Sequence, residues 1–242
     1  MMIFVHKMPF LLVGLASVLM SSDDTMLSQK SAADFPLTAD PESPQWRDAP
    51  RVKAAKDRWG KALPEASTEI RSRWTDRHLY FLFISPYQEL YLRPEPSVEK
   101  ETWGLWEWDV VEVFIGDDFD DIGRYKEFEV SPRGEWVDLE VDRSRKGKEV
   151  DWLWNSGLKN KTQIDEKRKV WYCEMQIPWS AIDRRTPKAG NELRLNLYRI
   201  EGAPPNRKYI TWRPVNSPSF HTPQAFGRLR LIEEVSAVQV RP

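Results

Sequence analysis

The sequence of 242 residues contains a single cysteine, Cys173. One cysteine excludes an internal disulfide, a cysteine zinc cluster and a paired-cysteine redox site. Cys173 alternates with Trp171, Met175 and Ile177 along an apparent strand, a pattern typical of a thiol that is buried between neighbours. We therefore expect it to fill core volume.

The chain also lacks an excess of basic charge. Its 36 lysines and arginines meet 37 aspartates and glutamates, so the net charge is −1. Binding driven by phosphate neutralisation has little support, and we expect no nucleic-acid partner. The charge is uneven, because residues 97–142 are acidic and residues 184–242 are basic. We expect strands from these two regions to pair within one domain.

Long apolar runs are scarce as well. The run at residues 8–20 follows Lys7 and is too short to span a bilayer. A basic residue before an apolar run of this length is typical of an export signal, so we interpret residues 1–20 as a signal peptide or N-terminal anchor. The mature protein is then secreted or periplasmic, with no other membrane contact. Residues 21–37 are interpreted as a linker, and residues 234–242 as a C-terminal tail.

Aromatic residues are abundant, with 12 tryptophans in a chain that is 40% apolar and 30% charged. This composition indicates a folded globular domain. The dominant period is two, and short helices are predicted only near residues 97–107 and 178–183. For residues 38–233 we expect one all-β domain, an antiparallel, jelly-roll-like β-sandwich with about nine strands and one or two short helices. The predicted strands are residues 68–74, 79–83, 109–116, 125–131, 135–141, 169–177, 192–200, 209–213 and 226–232.

Several of these strands carry aromatic and hydrogen-bonding side chains on the face that points away from the core. A sugar needs this chemistry, because its ring face packs on an aromatic and its hydroxyls need planar polar partners. A solvated sheet face is an equally ordinary explanation. The outward sets are Tyr125, Glu127 and Glu129 in one strand, and Arg194, Asn196 and Tyr198 in another.

The densest signal is a loop with tryptophans at positions 103, 106 and 108. One turn cannot hide three indole rings, so at least one is expected to project as a platform. Glu112 follows in a strand and alternates with Val110 and Phe114, which puts a carboxylate on an otherwise apolar face. Such a group must be paired or meet a ligand. We therefore predict that Trp106 and Glu112 bind a ligand.

Four motifs in a fixed order carry a family resemblance. Trp106 and Glu112 lie in W-x-x-D-x-V-E-x-F-I, and Tyr125 begins Y-x-x-F-x-V-x-P-x-G. Glu174 begins E-x-x-I-P, and Trp212 precedes F-H-x-P-x-x-F-G, which begins at Phe220. Together with D-P and a tryptophan near residue 40, these motifs make residues 38–233 resemble the carbohydrate-binding module family 9-like domains.

The resemblance implies a β-sandwich that binds a sugar without catalysis. We expect a monomer whose partner is an oligosaccharide or polysaccharide and which serves polysaccharide use. In that family the terminal sugar lies between two tryptophans. Trp106 matches the first tryptophan, Glu112 the strand glutamate and Trp212 the second tryptophan. Glu129 stands where binding members have an arginine, so the charge is reversed there, and we include Glu129 among the predicted ligand contacts. Asn196 and Arg199 are two further candidates for contacts to sugar hydroxyls.

The resemblance also implies structural calcium. The acidic turn at residues 117–121 offers oxygen ligands but lacks the spacing of an EF-hand loop. Acidic turns are usually solvated, so we expect no cofactor and no metal ligands.

Three other functions remain open at this point. Glu112 with Glu129, or Asp109 with Glu127, could form the acid and base of a glycosidase. Met175 could be an axial ligand in a haem-binding sandwich. A pure interaction domain would bind no sugar and would keep Trp106 packed. We favour the non-catalytic sugar-binding module and predict no catalytic residue.

Overall fold

A computed structural model describes residues 24–234. These residues form fourteen strands and two four-residue helices, α1 (Pro44–Arg47) and α2 (Trp179–Ile182). The predicted signal segment lies outside the described residues, as does all but the first residue of the predicted tail. The strands are β1 (Thr25–Lys30), β2 (Arg51–Ala54), β3 (Lys56–Asp57), β4 (Thr68–Trp74), β5 (His78–Pro86), β6 (Val110–Gly116), β7 (Arg124–Val130), β8 (Trp136–Asp142), β9 (Val150–Asp151), β10 (Lys159–Asp165), β11 (Val170–Pro178), β12 (Glu192–Glu201), β13 (Lys208–Thr211) and β14 (Gly227–Ile232).

All nine predicted strands are present, as β4 to β8 and β11 to β14, and α2 confirms the second predicted helix. The strand count itself was too low, because five further strands form. β2, β3 and β9 have only two to four residues, too few for a visible alternation. β10 is polar along most of its length, since it lies at the edge of the sheet and pairs only with β11.

The strands form one curled, mixed sheet that folds into two halves. One half has the order β10-β11-β5-β4, with β2 also on β4, and the other has β14-β12-β6-β7-β8-β9, with β13 also on β12. β1 joins the halves and runs parallel to both β4 and β14, whereas all other pairs are antiparallel. The prediction of a purely antiparallel sheet is therefore corrected at this one strand.

β1 also corrects the interpretation of residues 21–37 as a linker. Thr25–Lys30 lies between β4 and β14 and pairs with both through its backbone. Its side chains show little apolar alternation because one buried contact is polar. The Ser28 hydroxyl is fully buried and accepts a hydrogen bond from Ser72 at 2.8 Å.

The two halves pack face to face around one apolar core. As predicted, Cys173 is buried there, and Trp74 and Trp171 are fully buried as well. Met175 is enclosed among these side chains, so the structure gives the haem alternative no support. The core takes its side chains mainly from β4, β5, β6, β7, β11, β12 and β14.

A second apolar layer covers the outer face of β6, β7, β8 and β12. There the ring of Tyr198, on β12, stacks on Phe220 with 4.0 Å between the ring centroids and an interplanar angle of 11°. Phe220 belongs to the loop between β13 and β14, so this loop is held over the sheet. β12, from the basic region, pairs with β6, from the acidic region, as expected. Within residues 24–234, no helix has the length and apolarity needed to cross a membrane.

Candidate functional site

A cavity of about 280 Å³ lies over the outer face of β6 and β7. Strand residues form its floor, and loop residues before β6 and after β13 form its rim. This volume is at the lower end of the usual range for ligand pockets, roughly 300–1,000 Å³. The floor contains Glu112, Phe114, Glu127 and Leu139, and the rim contains Trp103, Trp106, Phe220 and His221.

The loop that carries Trp106 is fixed from both sides. Gly104 has a φ of 78°, a left-handed conformation that favours glycine, and it leads into a single 3-10 turn at Leu105–Glu107. Leu105, the first residue of this turn, is fully buried. The Arg207 guanidinium donates hydrogen bonds to the carbonyl oxygens of residues 106 and 107, and to that of Trp108 at 2.8 Å. Arg207 thereby closes the end of the turn and holds Trp106 at the cavity rim.

The three loop tryptophans have different environments. Trp108 stacks on Tyr91 with 4.5 Å between the ring centroids. Trp106 is half-buried and meets the edge of Trp103 at 4.8 Å. Trp103 is 52% exposed and lies 5.6 Å from Trp152, which is 42% exposed. The prediction that at least one ring projects is confirmed, and Trp152 extends the aromatic surface beyond the cavity.

Three buried glutamates share the face of the sheet under the cavity. Glu112 on β6 lies opposite Glu129 on β7, and Glu127 lies opposite Phe114 in the same ladder. We name Glu112, Glu127 and Glu129 the carboxyl cluster. One oxygen of Glu112 is buried without a hydrogen-bond partner among the described residues, whereas Glu127 and Glu129 are hydrogen-bonded to each other through their carboxyl groups. Sequence reasoning found each residue singly, but only the pairing of β6 with β7 brings them together.

Burial raises the pKa of all three carboxyl groups, because it disfavours the charged form. The negative charge of Glu127 raises the pKa of Glu112 further, and the charges of Glu112 and Glu127 do the same for Glu129. The positive charge of Arg207 opposes these shifts at Glu112 and Glu129. The empty cavity therefore favours protonated carboxyl groups on its floor.

His221 connects this cluster to the rim. Its Nδ1 is hydrogen-bonded to the Tyr125 hydroxyl at 2.7 Å, and its Nε2 lies 3.8 Å from a carboxyl oxygen of Glu127. When Tyr125 donates to Nδ1, the imidazole proton is on Nε2 and faces Glu127. The bond to Tyr125 holds the His221 ring in place at the rim.

Trp212 does not line this cavity. The prediction that it is the second tryptophan in contact with the sugar is therefore corrected. Trp212 belongs to the core between the two halves of the sheet. Its ring packs so closely on Gly227 that a Cβ built there would lie 2.9 Å from it. The aromatic side chains that line the cavity on the β13 side are Tyr209 and Phe220. The sequence offered no period-two signal for Phe220, because it lies in a loop.

The other predicted polar contacts also lie elsewhere. Asn196 is fully buried, and its side-chain amide binds the backbone of Leu197 and Arg213. Arg199 lies on the core face of β12, where it hydrogen-bonds Thr68 at 3.2 Å and pairs with Glu201 at 3.2 Å. Neither side chain lines the cavity, so their prediction as sugar contacts is corrected. Glu129, which lies opposite Glu112 on β7, does not line the cavity either, so its prediction as a ligand contact is corrected too.

Asp109 has a structural role. Its carboxylate accepts hydrogen bonds from the amides of Tyr91 at 3.1 Å and Gly202 at 2.6 Å, and burial raises its pKa to about 6. Because Asp109 is held by these two loops, it does not line the cavity with Glu127. This removes one of the two carboxylate pairs of the glycosidase alternative.

The acidic turn at residues 117–121 does not fit a calcium site. An Asp118 carboxylate oxygen accepts the amides of Asp120 at 2.7 Å and Asp121 at 3.1 Å. The Asp118 carbonyl accepts a hydrogen bond from Arg194 at 2.5 Å, so a cation already occupies its acceptor side. Across residues 24–234, no group of three or more acidic, histidine or cysteine side chains has the arrangement of a metal site.

A larger cavity, about 450 Å³, lies at one end of the sandwich. Several of its charged side chains already have partners: Lys126 pairs with Glu140, and Arg124 and Arg145 pair with Asp142 at 3.4 Å and 3.1 Å. The cavity over β6 and β7 is smaller, but it has aromatic walls and buried acceptors without partners. It is therefore the better candidate for a ligand site.

A known protein family matches most of this chain. Residues 41–234 match the family described as carbohydrate family 9 binding domain-like. The chain belongs to this family. An extracellular protein from the fungus Arthroderma benhamiae is 27% identical over 178 residues, which cover 69% of this chain and 79% of that protein.

Two further proteins show similarity over most of this chain. The endo-1,4-beta-xylanase A of Thermotoga maritima is 23% identical over 190 residues, covering 78% of this chain but only 16% of the xylanase. A family 9 carbohydrate-binding module from Caldicellulosiruptor kristjanssonii, solved in complex with cellotriose, superposes with a TM-score of 0.62 at 15% identity. That superposition covers 90% of this chain and 98% of the module. At this identity the structural likeness supports the fold.

Proposed function

We propose that this chain binds a sugar unit in the cavity over β6 and β7, with Trp106 against the apolar face of the ring and Glu112 bonded to its hydroxyls. One observation carries the proposal: a buried Glu112 oxygen without a partner lies at the floor of an aromatic-lined cavity. An unsatisfied buried acceptor is costly, and a sugar hydroxyl supplies the missing donor. Because burial raises the pKa of Glu112, its carboxyl group can also donate.

The surroundings of the cavity favour one sugar ring inside and a second ring outside. The enclosed volume, about 280 Å³, suits one ring with its first hydroxyl contacts. The exposed faces of Trp103 and Trp152 continue the aromatic surface in the direction that a longer chain would follow. Family membership and the cellotriose complex of a structural neighbour support a carbohydrate as the ligand.

The biological setting that we propose is an exported, monomeric, non-catalytic module in polysaccharide use. The signal-like N-terminal sequence and the extracellular relative support export. The chain corresponds to only 16% of the xylanase, and the xylanase activity is not carried over to it. One ring and a few hydrogen bonds that compete with water give a dissociation constant on the order of micromolar to millimolar.

Calorimetric titration of the full chain with a panel of mono- and oligosaccharides tests the proposal. Trp106→Ala is the decisive variant, because it removes the stacking surface, and we expect it to weaken binding at least about tenfold. Trp59→Ala is a matched control, since Trp59 is 58% exposed and does not line the cavity. The control should keep the original affinity. If no sugar of the panel binds, or if Trp106→Ala binds as well as the original chain, the proposal is wrong.

A further inference from the structure

The sugar site has more acidic groups than neutral hydroxyls require. Glu112 alone offers the acceptor used above, but Glu127 and Glu129 add two more carboxyl groups to the same face. Glu129 has no exposed surface, and the side-chain hydrogen bond that it makes is to Glu127, another carboxyl group. Burying several carboxyl groups side by side without a matching number of positive groups is costly. This excess of acceptors at one cavity indicates a ligand that brings positive charge.

The positive groups near the carboxyl cluster neutralise it only in part, because Arg207 and His221 act on it from a distance. The Arg207 guanidinium donates its hydrogen bonds to the carbonyl oxygens of the Trp106 turn. His221 Nε2 lies 3.8 Å from Glu127, beyond hydrogen-bond distance, and its Nδ1 is used by Tyr125. The Tyr198 hydroxyl donates to the Phe220 carbonyl. The titratable and charged groups that face the cluster are Tyr125, Tyr198, Arg207 and His221.

The walls of the cavity suit a cation too. The aromatic rings of Trp106, Phe114 and Phe220 line it beside Glu112 and Glu127, and the Tyr209 ring, which lines it as well, already holds the Arg58 guanidinium at 3.6 Å. Aromatic faces attract ammonium groups, most strongly where water is excluded. A bare metal ion fits less well, since no metal-binding arrangement is found among residues 24–234 and the lining is largely apolar. A sugar acid would be repelled by the cluster.

We propose that the preferred ligand is an amino sugar with a free ammonium group, held with that group on Glu112 and Glu127 and with Glu129 behind them. This inference rests on the proposed sugar-binding function and names its ligand class. When the ammonium group enters, a protonated carboxyl of the cluster loses its proton to solvent and becomes the counter-ion. A neutral sugar causes no such release.

The test compares glucosamine with glucose and N-acetylglucosamine by calorimetry of the full chain, near pH 6 and at low salt. The first carries a free ammonium group, and the other two are neutral. We expect glucosamine to bind at least about tenfold more tightly than either neutral sugar, equivalent to ~1.4 kcal/mol. Titration in two buffers with different ionisation enthalpies should show proton release for glucosamine alone.

A charge-removing variant separates the cluster from other causes. Glu129→Gln keeps the shape of the side chain, and it should reduce the ratio of glucosamine affinity to glucose affinity severalfold. Glu192→Gln is the control, because Glu192 pairs with Arg228 on the surface and does not line the cavity. It should leave the ratio unchanged.

The outcomes distinguish this inference from the proposed function. If glucose or cellotriose binds and glucosamine binds no more tightly, the ammonium preference is wrong and the sugar-binding function stands. If glucosamine is preferred but Glu129→Gln leaves that preference intact, the carboxyl cluster is not its source and the inference is again overturned. If none of these sugars binds and no sugar of the wider panel binds either, both proposals fail.

Discussion

Glu112 and Glu129 lie directly opposite each other on β6 and β7, and both carboxyl groups are buried. Like charges in this position destabilise a sheet. A natural sequence keeps such a pair at a cost in stability, and protonation lowers that cost, because burial raises the pKa of both groups. The pair therefore connects the stability of the fold to pH and to the contents of the cavity.

The first prediction concerns this pH dependence. The folded-state pKa of Glu129 is raised above the unfolded value of about 4.3. At a pH between these two pKa values, the folded protein binds more protons than the unfolded chain. The protonated Glu129 therefore stabilises the fold fully below the unfolded pKa, and this stabilisation is lost as the pH rises through the folded pKa. We expect the melting temperature of the empty protein to fall from pH 5 to pH 8. Calorimetric melting curves should show a shallower fall in Glu129→Gln, and an unchanged slope in that variant would contradict the assignment.

The second prediction concerns Arg207 as the residue that positions Trp106. Arg207→Met keeps the length of the side chain but removes the donors to three loop carbonyls. We expect sugar affinity to fall at least about fivefold, because Trp106 loses its fixed place, while most of the fold is unaffected. Titration measures the affinity, and tryptophan fluorescence reports the loop. Arg228→Met, which removes an exposed ion pair, should change neither. Unchanged affinity in Arg207→Met would show that the turn holds Trp106 without it.

The third prediction concerns ligand length. Trp152 is 42% exposed and lies against Trp103 outside the cavity. If a second ring rests there, Trp152→Ala should weaken binding of a trisaccharide severalfold and leave binding of a monosaccharide nearly unchanged. The comparison needs only two ligands and two proteins. Equal losses for both ligands would place Trp152 in the first ring's site, and no loss for either would remove it from the ligand path.

Much of the fold follows from side-chain parity. In β7, Phe128 and Val130 enter the core while Glu127 and Glu129 point out, as their alternation predicts. The same alternation contradicts the prediction that Arg199 contacts sugar hydroxyls, because Arg199 shares the core face of β12 with Leu195 and Leu197. That error was avoidable from the sequence alone. Trp106 and Glu112, in contrast, were found from their local pattern, and both line the cavity.

The remainder depends on pairing between distant segments. β1 could not be found by alternation, since its position comes from backbone hydrogen bonds on both sides and from the buried contact between Ser28 and Ser72. The carboxyl cluster depends on the register between β6 and β7. Phe220 reaches the cavity only because its loop folds back onto Tyr198. Local patterns do not contain this information.

The last prediction separates the two tryptophans that the family resemblance paired. Trp212 is buried in the core, whereas Trp106 is half-buried at the cavity. Trp212→Ala should therefore lower the free energy of unfolding by about 3–5 kcal/mol, the usual cost of emptying a large aromatic site. Trp106→Ala should lower it much less and abolish most sugar binding. Denaturant unfolding measures the first effect, and calorimetric titration measures the second.

A conservative variant keeps this comparison decisive if Trp212→Ala does not fold. Trp212→Phe retains most of the core contact, and it should fold with a smaller loss of stability and bind sugar with the original affinity. Because Trp212 does not line the cavity, filling its site with another aromatic ring leaves the ligand contacts intact. A folded Trp212→Phe protein that has lost sugar binding would mean that Trp212 turns toward the ligand, as the family resemblance first suggested.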